Sequence, residues 1–152
     1  MKIKRLILLV FLNVIFCNSF AQAFGKTEKT AIKKIVYKWS DAHNKWSLDE
    51  LKRLYAPEVL FYCKKISREK CIGKISNMLS PTKVFKHEIV SINDYQQFEN
   101  GLAGVYFIKA VTANGSTKEY PSYLILSKTD EGYKIIGESD EVTDKNLKFQ
   151  FD

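Results

Sequence analysis

Residues 103–128 read AGVYFIKAVTANGSTKEYPSYLILSK. Apolar side chains recur at alternate positions on both sides of Asn114-Gly115, the pattern of two half-buried strands. A two-residue type I′ turn needs φ > 0 at both central positions, and Asn-Gly supplies that at low steric cost, so the stretch reads as an antiparallel hairpin. Asn114-Gly115-Ser116 also matches a glycosylation acceptor, but the flanking alternation favours the hairpin. The same period extends back to Val84 and forward past a second turn signal, Asp130-Glu131-Gly132. Strands are therefore expected at 84–94, 103–113, 117–128 and 133–138.

Before Val84 the period is helical. Ile32, Ile35, Val36, Trp39, His43 and Trp46 fall on one face of a helix, with Lys33, Lys34, Lys38 and Asn44 on the other. Ser47-Leu48-Asp49-Glu50 has the form of a capping box opening a second helix, with Leu48, Leu51 and Leu54 inward and Pro57 as its stop. Residues 58–63, with Val59, Phe61 and Tyr62, read as a strand. Residues 67–79 read as a third helix, ended by Ser80-Pro81. Helices first and a strand meander afterwards predict an α+β domain, with N-terminal helices packed into a strongly curved antiparallel sheet. Such a cone holds either packed side chains or a ligand cavity.

The first residues have the form of an export leader. Met1-Lys2-Ile3-Lys4-Arg5 is basic, Leu6 to Phe16 is apolar except for Asn13, and Ala21-Gln22-Ala23 is a small-x-small cleavage site. The expected division is a leader at 1–23, a domain at 24–143 and a tail at 144–152. The apolar run falls short of the about 20 residues that a membrane span needs. Lipid attachment at Cys17 is disfavoured because bulky Phe16 precedes it. The protein is thus expected to be periplasmic or secreted. Losing Lys2, Lys4 and Arg5 with the leader lowers the net charge from +7 to +4. The remaining lysines are interspersed with acids, so no nucleic-acid-binding stripe is expected. Export leaves Cys63 and Cys71 as the only thiols in an oxidising compartment, and a disulfide between them is expected, worth roughly 2–3 kcal/mol.

Trp39-x-x-Ala42, followed by Leu51-x-x-Leu54-Tyr55-Ala56-Pro57-Glu58-Val59-Leu60-Phe61, resembles the opening of the SnoaL-like, nuclear-transport-factor-two-like superfamily, which has a cystatin-like cone fold. Gly132-Tyr133-Lys134-Ile135-Ile136 with Glu138-Ser139-Asp140 resembles its closing strand, Tyr133 standing where tryptophan is frequent. The likeness spans residues 27–143 and rests on core positions, so it speaks to fold before activity. It implies a choice among isomerases, dehydratases, hydrolases, and binding or interaction modules that often dimerise through the sheet. The isomerases carry an aspartate base on the strand after the second helix. Phe61-Tyr62-Cys63 matches that stretch without a carboxylate, which disfavours that chemistry.

Among single residues, Asp41 is two positions from Trp39 and from His43 and so is turned from the apolar stripe. His43 continues the stripe, as an acid or base near neutral pH or as a hydrogen-bonded core histidine. His87 shares a strand face with Phe85 and Ile89 and reads as packing. Tyr37, Tyr55, Tyr62, Tyr106, Tyr120 and Tyr123 pair an apolar ring with a polar tip, and of these Tyr62 and Tyr106 are placed on the cavity wall. Glu138, Asp140, Glu141 and Asp144 read as solvated charge. No metal-ligand spacing, phosphate-binding loop or nucleophile elbow is present, and no cofactor is expected. The functional expectation is that Trp39, His43, Trp46, Tyr62 and Tyr106 bind a small apolar or amphipathic molecule without identifiable catalysis. The alternatives are a catalyst using His43 or Tyr62, and a protein-interaction or inhibitor module.

Overall fold

The computed structural model of the protein describes residues 24–79 and 85–148. The leader with its cleavage site and Cys17, the Ser80-Pro81 stop and Val84 lie outside the described residues.

Helix α1 (Lys26–Asn44) buries Ile32, Val36, Trp39, Ala42 and His43 at three- and four-residue spacings. Its end is a Schellman closure. The Ser47 N–H donates to Ala42 O at 2.9 Å and the Trp46 N–H to His43 O at 3.2 Å, while Trp46 takes the left-handed φ of 56° usually left to glycine. That closure occupies the place of the expected capping box, and the Ser47 side chain caps nothing. Helix α2 (Leu48–Leu54) buries Leu51 and ends before Pro57, which lies exposed within strand β1 (Tyr55–Phe61).

Tyr62 and Cys63 then turn the chain with φ of 46° and 60°, and strand β2 (Lys64–Ser67) returns with Lys64 opposite Phe61. Two positive φ values make this a hairpin of the primed type, on a dipeptide that carries none of the usual Asn or Gly signal. Ser67 caps helix α3 (Arg68–Met78), its Oγ accepting from the Lys70 N–H at 3.3 Å. Strands β3 (Phe85–Gln97), β4 (Leu102–Ala113), β5 (Ser116–Thr129) and β6 (Gly132–Asp140) follow, then helix α4 (Glu141–Lys148). Asn114 and Gly115 have φ of 51° and 77°, as the hairpin requires. Helix α4 straddles the expected boundary between domain and tail.

The six strands form one open sheet in the order β2-β1-β6-β5-β4-β3. Neighbours are antiparallel except β1 and β6, which run parallel. Bulges bend the sheet. In β3 the register slips between Ile89 and Ser91 and again between Ile92 and Asp94, and β6 holds an extra residue, Ile136, opposite the Ile125–Leu126 step.

The concave face is graded along its length. Ile32, Val36 and Trp39 of α1 pack against Val105, Phe107, Leu124, Leu126 and Ile135, with Leu51, Cys71 and Ile75 closing the apolar end. One step further along each element the buried residue is polar: His43 on α1, His87 on β3, Lys109 on β4, Ser122 on β5, Glu138 and Asp140 on β6. The cone is therefore filled at one end and polar at the other.

The expected Cys63–Cys71 disulfide is not formed. Cys71 is buried on the inner side of α3, whereas Cys63 sits in the exposed β1–β2 turn with its Sγ donating to Asp144 Oδ1 at 3.2 Å. One thiol thus lies in the core and the other at the surface, a difference that sequence spacing does not reveal.

Candidate functional site

The polar end of the cone opens into a cavity of about 340 Å³, lined by Trp39, His43, Tyr62, Phe85, His87, Lys109, Val111 and Tyr120, with Glu138 and Asp140 on its β6 side. Its groups converge from α1, β3, β4, β5 and β6, from the β1–β2 turn that carries Tyr62, and from Met78 at the end of α3. Trp39 and His43 are one helical turn apart on α1. Lys109 and Val111 continue the inward alternation of β4, and His87 lies opposite Val111 across the β3–β4 ladder.

Glu138 anchors the floor. Its Oε2 accepts from Tyr55 Oη and, at 3.1 Å, from Trp39 Nε1–H, which also donates to Tyr55 Oη at 2.9 Å. Burial, and then the adjacent Glu138, push the Tyr55 phenol well above its ordinary range. Asp140 caps α4 by accepting from the Thr143 N–H at 2.8 Å. Both carboxylates face inward because of the Ile136 bulge. Ile135 pairs with inward Leu126, but beyond the extra residue Glu138 pairs with Leu124 and Asp140 with Ser122, which reverses the phase of the strand. The acidic cluster expected to be solvated is thus half internal. Asp144 is engaged as well, accepting from Tyr123 Oη at 2.8 Å and Ser139 Oγ at 2.6 Å.

Lys109 is 5% exposed. Its Nζ donates to Tyr62 Oη at 3.1 Å and stands over the rings of Trp39 and Tyr62, 5.8 and 5.7 Å from their centroids. Burial lowers its pKa, against the pull of Glu138 and Asp140. The Tyr62 phenol is raised, first by burial and then by Glu138 and Asp140.

His43 Nδ1 lies 2.8 Å from Trp39 O. A carbonyl only accepts, so Nδ1 carries the proton and Nε2 keeps its lone pair. Burial lowers this imidazole, with Glu138 opposing. His87 is taken further down, to about 2, by burial and then by His43 and Lys109. Its Nδ1 is buried without a hydrogen-bond partner. The main chain of His87 is by contrast fully engaged: Asn44 Nδ2 donates to its carbonyl at 2.6 Å while Asn44 Oδ1 accepts from its N–H at 2.7 Å.

Of the residues expected to bind a ligand, Trp39, His43 and Tyr62 line this one cavity. Trp46 lies past the α1 closure, half-buried against the core and off the cavity wall. Tyr106 is on the opposite sheet face, its ring 5.8 Å from that of Tyr123 and its hydroxyl on Gln96. Asp41 is exposed. Sequence reading passed over Lys109, took Glu138 and Asp140 as solvated charge and His87 as packing, and named Tyr120 among the tyrosines without placing it on the cavity wall. For Lys109 a signal existed, since it keeps the phase of Val105 and Phe107. Among the described residues, no three His, Cys, Asp or Glu side chains are grouped to hold a metal ion.

No protein-family model matches the chain, and no curated protein matches it by sequence. Solved structures do match. An NTF2-like protein of unknown function from Shewanella oneidensis superposes with a TM-score of 0.60 at 14% identity, over 74% of this chain and 97% of that one. Another from Pseudomonas putida gives 0.66 at 9% identity, over 76% and 87%. The chain has the NTF2-like fold. A third NTF2-like structure, from Streptomyces avermitilis and provisionally named a dehydratase, gives 0.64 at 10% identity, over 76% and 97%. At such identities the likeness is of backbone, so the NTF2-like cone says where a site would lie and its own side chains say what the site does.

Proposed function

We propose that the open end of the cone binds a small amphipathic molecule. Its apolar body would lie among Trp39, Phe85 and Val111, and its polar group would meet Lys109, Tyr62 and His43. The supporting observation is the pairing of a cavity of about 340 Å³ with converging buried polar groups, a volume within the roughly 300–1,000 Å³ of small-molecule sites. The test is a titration with 2-phenylethanol followed through the indole N–H resonances. Saturable movement of the Trp39 signal with that of Trp46 unmoved supports the reading. Equal, unsaturable drift of both, or none, refutes it.

A second reading, acid–base catalysis on such a ligand, is favoured by one arrangement: a neutral His43 with its Nε2 lone pair available shares the cavity with the Tyr62 hydroxyl. Turnover of a substrate that disappears in His43→Gln would establish it. For the chain as a whole, the proposal is an exported protein whose first residue after cleavage is Phe24, which N-terminal sequencing of the exported product checks. Pairing of two copies through the outer sheet face is the corresponding proposal for assembly, read from the molar mass in solution.

A further inference from the structure

We propose that Lys109 captures aldehydes or ketones entering the cavity, as a Schiff base. The inference rests on the cavity being a ligand site and adds the chemical class of ligand.

Lysine is almost never this buried unless paired with a carboxylate. Here no described ion pair includes Lys109, and the hydrogen bond its Nζ makes is with a neutral phenol. Glu138 spends its Oε2 on Tyr55 and Trp39, and Asp140 spends its Oδ1 on the Thr143 N–H. The amine is thus presented to an open cavity within a box made by the rings of Trp39 and Tyr62. Burial favours the uncharged, nucleophilic form and outweighs the two ring faces, Glu138 and Asp140, which favour the ammonium.

The neighbours supply the proton movements. Tyr62 Oη accepts from Lys109 Nζ, so its own proton is free to point at a second oxygen, that of a bound carbonyl. Tyr62 is also held in a left-handed conformation, φ 46°, with its N–H on Glu138 O at 2.8 Å, a strained placement of the kind found where a side chain must be aimed. The steps balance within the site. The Nζ lone pair attacks the carbonyl carbon, the C=O π pair moves to oxygen, and that oxygen takes a proton from Tyr62. Nitrogen loses a proton to His43 Nε2. The carbinolamine then forms a C=N bond as its hydroxyl takes the proton held by His43 and leaves as water, and the remaining N–H proton returns to Tyr62. Amine and carbonyl become imine and water, with no oxidant or reductant.

The test uses the folded wild-type chain with phenylacetaldehyde and cyanoborohydride at pH 7, which turns an imine into a stable alkyl-lysine located by peptide mass mapping. Lys109 should be alkylated severalfold faster than exposed Lys33, Lys65 and Lys118, because more of its amine is uncharged and the cavity holds the aldehyde beside it. Excess 2-phenylethanol, which has no carbonyl, should suppress Lys109 alone. Tyr62→Phe should slow Lys109 severalfold. If the alcohol binds but Lys109 reacts no faster than the exposed lysines, carbonyl capture is overturned and the cavity reading survives. If the alcohol neither binds nor protects, and Lys109 shows no preference, both fall. The deciding comparison lies within one unmodified chain, so it does not depend on a variant folding.

Discussion

At the residue scale, the polar end of the cone is a set of desolvated groups whose protonation is coupled to folding. His43 and His87 are both held below the ordinary imidazole range by burial, while in the unfolded chain each titrates near 6.5. Below that pH the unfolded state binds more protons than the folded one, so stability must decline as pH falls from about 6.5, for His87 all the way toward its folded value. Each histidine adds up to about 1.4 kcal/mol per pH unit to that slope. Urea midpoints should therefore drop between pH 7.5 and 5. His87→Leu should make the decline shallower and, by deleting the orphaned Nδ1, raise stability at pH 7 by about 1 kcal/mol. A wild-type midpoint that stays level over this range contradicts the account. Tyr55→Phe probes the floor. It withdraws a donor from the buried Glu138 carboxylate and should cost roughly 1–3 kcal/mol in urea unfolding, with movement of the Trp39 indole resonance.

At the scale of elements, site geometry depends on how strand ends are held. Strand β3 is an edge strand, and an edge exposes main-chain groups that must find partners. Asn44 meets that need for His87 with a donor and an acceptor at once, and Ser40 Oγ adds a longer bond of 3.4 Å to the same carbonyl. The side-chain amide stands in for a missing neighbouring strand and ties β3 to the last turn of α1. Asn44→Ala should cost about 1–2 kcal/mol, since water replaces the lost partners incompletely. It should also raise amide exchange at His87 by roughly tenfold relative to the centre of β4. Unchanged exchange there would mean that the β3–β4 ladder alone holds the strand. The β6 bulge is the other determinant, because it exchanges which alternate set of side chains faces inward and so delivers Glu138 and Asp140 to the cavity.

At the scale of the whole molecule, stability comes from one continuous core running from Ile32 and Ile75 to Trp39 and Phe107, with no bond between Cys63 and Cys71. The Cys71 thiol, raised to about 12 chiefly by burial, is inert as a nucleophile at neutral pH. A reductant should therefore leave the urea midpoint unmoved, whereas a Cys63–Cys71 bond would have contributed roughly 2–3 kcal/mol. The fold was legible wherever periodicity is local: the α1 stripe from Ile32 to His43, the Asn114-Gly115 hairpin, and the order of helices before meander all follow from spacing along the chain. Trp39, His43 and Tyr62 were likewise within reach as inward aromatic positions. Hidden were the features that depend on which strand lies beside which. The parallel β1–β6 pair, the Tyr62-Cys63 turn and the phase reversal at Ile136 are products of pairing, and with them went Glu138, Asp140 and the fate of the two cysteines, whereas Lys109 was legible from the phase of β4. Periodicity tells which side chains share a face of one element. Only packing decides which faces meet, and a single extra residue in β6 was enough to turn a seemingly solvated acidic run into the floor of a cavity.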